Sequence, residues 1–318
     1  MARVENKTFC ACAKLKEIQL PKTLEEIGAS AFNGCKSLQT VNIPENVKSI
    51  GDAAFNNCKN LKSIKLPPEL REISAWLFNN CQHLESIDLP SQVSKIGYYA
   101  FFCCRDLTSV NIKSHIEEIE QGAFEECSKL QSIDLPKKLT KIGPEAFRNC
   151  SSLKFVNLPK NLTLLGQGAF ECCSDLESVV VPIGVDHIYP RTFWQCKNLK
   201  SVKILGNVDA IGGNAFADCI ALETVKLPSI LRSIDYQVFK NCINLKLINL
   251  PDSLNEIYCD TFEGCVNLRF AIIPVGFRHC ANDLFTDCDN VTITYREHRN
   301  LNNANMRDPS MVRRTKDR

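Results

Sequence analysis

Cysteine is the residue type in this sequence with the greatest capacity for chemistry. The chain of 318 residues contains 18 cysteines, enough for a disulfide framework, a thiolate metal site or a reactive thiol. The adjacent pairs at 103–104 and 172–173 lack the C-x-x-C spacing of zinc and redox sites. Thirteen of the cysteines instead recur every 23 residues: Cys12, Cys35, Cys58, Cys81, Cys104, Cys127, Cys150, Cys173, Cys196, Cys219, Cys242, Cys265 and Cys288. Such regularity indicates a structural column.

The histidines do not follow this interval. The five of them fall at unrelated positions, so no two recur on one face: His83, His115, His187, His279 and His298. The sequence also lacks an HExxH motif, a glycine-rich phosphate loop and a G-x-S-x-G motif. We therefore predict a protein that is not an enzyme, with no catalytic residue, no metal site and no cofactor.

A phenylalanine precedes each cysteine of the column by three residues, from Phe9 to Phe285, without an insertion or deletion. Self-similarity at a period of 23 residues predicts a solenoid in which each repeat forms one coil and packs on its neighbours. We expect a short lead-in over residues 1–8, a single solenoid of about 13 coils over residues 9–295, and a tail over residues 296–318.

Each repeat contains signals for a strand and for turns. Aliphatic residues at alternate positions, such as Val41 and Ile43, predict a short strand, and Pro44 ends it because proline has no N–H for the ladder. The return path, with buried-type residues such as Ile50, is predicted to be irregular. Apolar residues three apart in the Ala-Phe-x-x-Cys-x-x-Leu segment predict one or two turns of helix or 3₁₀ helix.

The strand segments LQTVNI and LESIDL follow the Leu-x-x-Val-x-Leu pattern of leucine-rich repeats. Together with the Ile-Gly-x-x-Ala-Phe-x-x-Cys joint and the proline after the strand, residues 9–295 resemble the BspA-like subgroup. The resemblance implies an α/β solenoid, a right-handed superhelix with a parallel β-sheet on its concave side. It also implies short helical or 3₁₀ turns and irregular segments on the convex side, and a function in binding, often adhesion, without a shared catalytic residue.

Charge is nearly balanced over the chain. The formal net charge of +2 predicts no nucleic-acid partner for the solenoid body. Residues 296–318 hold seven Lys or Arg and three Asp or Glu, so the tail carries about +4 and the remainder about −2. The tail has few large apolar residues and is predicted to be basic and disordered.

Cysteine usage and hydropathy are evidence about the cellular location of the protein. No signal-peptide pattern is present at the start of the printed sequence, and no segment approaches the ~20 apolar residues of a membrane span. Cysteines within an apolar column are expected to be free, buried thiols, which favours a cytoplasmic location. The alternative is the cell surface or the exterior, reached by a route not visible in this chain.

The residues that flank the inner Val or Ile of each strand are predicted to point outward from the sheet. From Thr40 to Ser132 they are small and polar, whereas larger apolar residues occur later. We predict a non-enzymatic scaffold that binds a protein partner of unknown identity through the concave sheet; a surface adhesin is the alternative. The predicted anchors are Phe155, Val180, Leu247, Phe270, Ile272, Ile293 and Tyr295. Two alternatives remain for the last five of these anchors: the tail from Arg296 folds back and covers them, or the array continues there in a partner copy.

Overall fold

The computed structural model describes residues 2–112 and 115–297. The repeats stack as coils of a parallel β-solenoid, which confirms the predicted leucine-rich-repeat architecture. A single coil has too little apolar surface to enclose itself, so each column of aliphatic residues is buried only by its own copies in adjacent coils. The predicted tail over residues 296–318 lies outside the described residues from residue 298 onward.

The predicted strand of each repeat belongs to the first ladder. Its strands pair in parallel within four groups of two to five strands, and all but the last strand keep a constant register, as between Thr40 and Ser63. Its strands are β3 (Thr40–Asn42), β5 (Ser63–Lys65), β7 (Ser86–Leu89), β9 (Ser109–Ile112), β11 (Ser132–Ile133), β13 (Phe155–Val156), β15 (Ser178–Val181), β17 (Ser201–Ile204), β19 (Thr224–Lys226), β21 (Leu247–Asn249), β23 (Phe270–Pro274) and β24 (Thr292–Arg296).

The return path forms a second ladder, although we predicted it to be irregular. Its strands are β1 (Ala2–Val4), β2 (Leu24–Ile27), β4 (Ser49–Ile50), β6 (Glu72–Ile73), β8 (Lys95–Ile96), β10 (Glu118–Ile119), β12 (Lys141–Ile142), β14 (Leu164–Leu165), β16 (His187–Ile188), β18 (Ala210–Ile211), β20 (Ser233–Ile234) and β22 (Glu256–Ile257). Each ends on a buried aliphatic residue that aligns with its copy, as Ile27 does with Ile50. Because β1 pairs with β2, the stack begins before residue 9.

The segment around each phenylalanine is a run of tight turns rather than the predicted helix. The residues two before and two after the ring have left-handed backbone, such as Ser30 (φ 55°) and Gly34 (φ 76°). This conformation interrupts a helix and directs the Phe32 N–H to the Ala54 carbonyl of the next coil, 2.8 Å away. Among the described residues, the only helices are a 3₁₀ helix (Val275–Cys280) and α1 (Ala281–Leu284), both in the last coil.

From Phe32 and Cys35 onward, the phenylalanine and cysteine columns form the centre of the core, as predicted, whereas Cys12 in the first coil is exposed. Successive rings stack with centroids between 5.1 and 5.9 Å apart. Each inner cysteine donates its thiol to a phenylalanine carbonyl of the preceding coil, as from Cys58 Sγ to Phe32 O at 3.2 Å. Burial raises the pKa of the Cys35 thiol to about 11. All 18 cysteines are free thiols in the structure, and the burial of the column from Cys35 to Cys288 agrees with the prediction that it is a packing feature.

Candidate binding surface

The outward side chains of the first ladder form one continuous surface, which we call the ladder face. Along each strand, exposed and buried residues alternate, as in β3, where Val41 is buried between exposed Thr40 and Asn42. Parallel pairing at a constant register through β23 keeps equivalent residues of successive coils in columns. The amino acid at one repeat position therefore determines the local chemistry of this face.

The first half of the ladder face is small and polar, as predicted. A groove of about 710 Å³ lies over β3, β5 and β7, with Thr40, Ser63 and Asp88 among its lining residues. The charged Lys65 in this groove is paired with Glu45, with Nζ 3.1 Å from Oε1. This half thus offers hydroxyl, amide and carboxylate groups, and the lysine lining the groove already has a partner.

Two apolar residues interrupt the polar surface midway along the stack. Phe155 on β13 is 55% exposed, and Val180 on the adjacent β15 is 45% exposed. The register pairs Phe155 with Ser178, which places Val180 two positions further along the neighbouring strand. We call these two residues the middle patch.

A larger apolar surface lies near the carboxyl end. Leu247 and Phe270 are register partners on β21 and β23, and they are 47% and 58% exposed. Ile272, two residues after Phe270 on the same strand, is half-buried. These three residues form the C-terminal patch, and its two large side chains lie at directly aligned positions.

Ile293 and Tyr295 do not belong to this patch, so their predicted placement is wrong. In β24 the register moves by one residue, and Phe270 and Ile272 pair with Thr292 and Thr294. A shift of one residue turns every side chain to the opposite face. The threonines therefore face outward, while the two apolar residues pack half-buried against the core.

Arg296, at the end of the last strand, contacts residues that lie two coils earlier. Its Nη1 lies 2.6 Å from Asp252 Oδ1 and 3.2 Å from the Leu250 carbonyl oxygen, and Nη2 donates to Asn249 Oδ1. These contacts lie beside the C-terminal patch and leave Leu247 and Phe270 exposed. The predicted coverage by the tail involves residues 298–318, which lie outside the described residues.

The opposite outward surface, built from the turns around each phenylalanine, is called here the turn face. Its side chains contact one another across coils: the Trp76 ring stacks on Tyr99 with centroids 4.5 Å apart. In the same way, Trp194 Nε1 donates to Asp218 Oδ2 at 3.0 Å. Both tryptophans therefore contact side chains of an adjacent coil, and Trp76 remains 39% exposed.

A buried ionic network occupies the middle of the turn face. Glu125, Arg148 and Glu171 follow one another at the position after the phenylalanine, and the carboxylate side chains are only 8% and 5% exposed. Arg148 Nη1 lies 3.3 Å from Glu125 Oε1, and its Nε lies 3.0 Å from Glu171 Oε1. Burial outweighs the attraction of Arg148 and raises the pKa of Glu125 to about 7. Within this network, Arg148 Nη1 donates a hydrogen bond to Glu125, whereas the buried Nε is close to Glu171 without making a hydrogen bond.

The described residues contain neither a cluster of metal ligands nor a membrane-spanning helix. Within residues 2–112 and 115–297, no group of three or more His, Cys, Asp or Glu side chains is arranged to hold a metal ion. In the same part of the chain, no helix has the length and apolar character needed to cross a membrane.

These features define a leucine-rich-repeat solenoid, and comparison with protein families identifies its subgroup. The model of the BspA type leucine rich repeat region matches residues 2–131, 117–246 and 209–305. The chain therefore belongs to the BspA-type leucine-rich-repeat family, as the resemblance suggested. No curated protein sequence matches it.

Several solved structures share the fold. A leucine-rich repeat protein from Bacteroides ovatus is 27% identical with a TM-score of 0.61, covering 92% of this chain and 87% of its own. A leucine rich cell surface protein from Faecalibacterium prausnitzii is 27% identical with a TM-score of 0.56, covering 94% and 84%. The pneumococcal vaccine antigen PcpA is 23% identical with a TM-score of 0.63, covering 97% and 85%, and supports the fold alone.

Proposed function

We propose that this protein is a non-enzymatic scaffold that binds another protein through its ladder face. The proposed anchors are Phe155 and Val180 in the middle patch and Leu247, Phe270 and Ile272 in the C-terminal patch. Large apolar anchors carry most of the free energy at protein interfaces. The observation that supports this function best is the aligned, exposed pair Leu247 and Phe270 on the ladder face.

A cell-surface role in adhesion is the second candidate. The F. prausnitzii relative is described as a cell surface protein, which favours this location over the cytoplasmic one predicted from the free thiols. Thiols buried within the solenoid are sheltered from partners for disulfide exchange, so their number does not oppose export. Antibody labelling of intact cells tests this candidate, since a surface protein is stained without permeabilisation and a cytoplasmic one is not.

The binding function is tested by replacing Phe270. We expect Phe270→Ser to abolish capture of the protein partner that the wild type retains from a native extract, because the substitution removes the most exposed anchor. Thr40→Ala, at the equivalent column in the polar half, is the matched control and should retain the partner. Circular dichroism and thermal unfolding confirm that both variants fold. Equal capture by Phe270→Ser and the wild type contradicts the proposal.

A further inference from the structure

Two lysines lie side by side on the ladder face between the two apolar patches. Lys203 on β17 and Lys226 on β19 are register partners, and both are exposed. Adjacent parallel strands are ~4.8 Å apart, and like charges at directly aligned positions repel each other. Within the described part of the chain, neither ammonium group lies within ion-pair distance of a carboxylate.

Two other lysines on or beside this face are paired with acidic residues. Lys65, at the equivalent repeat position in the polar half, lies 3.1 Å from Glu45. Lys246, next to the C-terminal patch, lies 2.8 Å from Glu223. The pair at positions 203 and 226 thus presents two positive charges that the described chain leaves uncompensated.

Apolar residues stand on both sides of this pair. Val180 is the register partner of Lys203 on one side, and Ile272 lies two coils beyond Lys226 on the other. The span from Val180 to Ile272 is four coils, about 19 Å at the usual strand spacing. An extended peptide covers this distance in roughly six residues, at ~3.3 Å per residue.

We propose that the ladder face recognises an acidic protein segment that carries carboxylates between two apolar side chains. The carboxylates contact Lys203 and Lys226, and the apolar side chains contact the middle and C-terminal patches. Charge complementarity selects this partner, since an anionic segment relieves the repulsion between the two ammonium groups. The flanking patches favour a peptide over a nucleic acid backbone, which has no apolar side chains to place there. This inference rests on the proposed binding function and specifies its partner.

The test uses a fluorescein-labelled peptide, Phe-Ser-Glu-Ser-Glu-Ser-Phe, and its counterpart with Gln in place of Glu. Fluorescence anisotropy should show that the wild type binds the Glu peptide roughly tenfold more tightly than the Gln peptide, as expected for two ion pairs. The double variant K203Q/K226Q should lose this difference. Lys65→Gln is the matched control and should keep it, because its ammonium already has a partner in Glu45.

Three outcomes overturn the inference: no measurable binding of the Glu peptide by the wild type, equal binding of the two peptides, or tighter binding of an oligo-dT strand than of the Glu peptide. The same variants distinguish a failure of the acidic-partner inference from a failure of the proposed binding function. If Phe270→Ser loses the natural partner and K203Q/K226Q does not, the scaffold function stands and the acidic partner is wrong. If Phe270→Ser retains the partner, the scaffold function itself is wrong.

Discussion

The ladder face and the turn face belong to the same coils, yet they differ in whether their polar side chains pair between coils. On the turn face, successive members of a column pair with each other, as Arg148 does with Glu125 and Lys240 does with Glu263. On the second half of the ladder face, Lys203 stands beside Lys226, and Phe270 remains 58% exposed.

This difference indicates that the two faces have different roles. A polar group that finds its partner in the next coil contributes to stacking, because the pair forms only when the coils are in register. A group left without a partner contributes little to the folded state and is available to another molecule. Substitutions on the turn face should therefore change stability, while those on the ladder face should change binding.

The largest effect is expected from Arg148→Ala. Removing the guanidinium leaves Glu125 and Glu171 buried without a counter-charge, which should lower the free energy of unfolding by about 3–5 kcal/mol. Urea denaturation at neutral pH measures the change. Arg105→Ala is the control, because its pair with Glu126 is exposed and should contribute no more than about 1 kcal/mol. Equal losses in both variants would contradict the assignment of the buried network to stability.

A smaller effect of opposite sign is expected from Glu125→Gln. The pKa of this carboxyl is about 7 in the folded protein and 4.5 ordinarily, so the folded state favours the protonated form. The stability that protonation supplies is fully present below pH 4.5 and is lost as the pH rises through 7. The neutral glutamine should therefore make the variant more stable than the wild type by about 1–3 kcal/mol near pH 8, with the difference vanishing below pH 4.5.

Urea denaturation across this pH range provides the measurement. Glu223→Gln is the control, because the hydrogen bond from Lys246 lowers the pKa of Glu223. Its replacement should not stabilise the protein at high pH. A Glu125→Gln variant that is less stable than the wild type near pH 8 would show that attraction to Arg148 outweighs burial.

Much of the architecture could be predicted because every repeat has the same length. Once Phe32 is placed, the period places the equivalent ring of each later coil, and the outward columns of the first ladder follow from alternation along the strand. The ionic network was also present in the sequence, as opposite charges at successive positions 125, 148 and 171 of one column. The period places these charges in one column but gives no indication that the two carboxylates are buried.

Other structural features are not indicated by any pattern in the local sequence. Two-residue strands such as Ser49–Ile50 are too short to show an alternating pattern. Apolar residues three apart fit a helix and a run of tight turns equally well, and residues such as Trp76 and Tyr99 give no indication of their left-handed backbone. The register shift in β24 depends on the last coil alone, so a strict period misplaced Ile293 and Tyr295.

The smallest effect on stability is expected from Phe155→Ser, because this phenylalanine lies outside the core. Phe155 is 55% exposed on the ladder face, whereas Phe170, fifteen positions later, is fully buried in the ring stack. We expect Phe155→Ser to change the free energy of unfolding by no more than about 0.5 kcal/mol, and Phe170→Ala to lower it by about 3–5 kcal/mol. Urea denaturation of both variants gives the measurement. A loss of several kcal/mol in Phe155→Ser would show that the ladder face stabilises the stack, and the division of roles between the two faces would then fail.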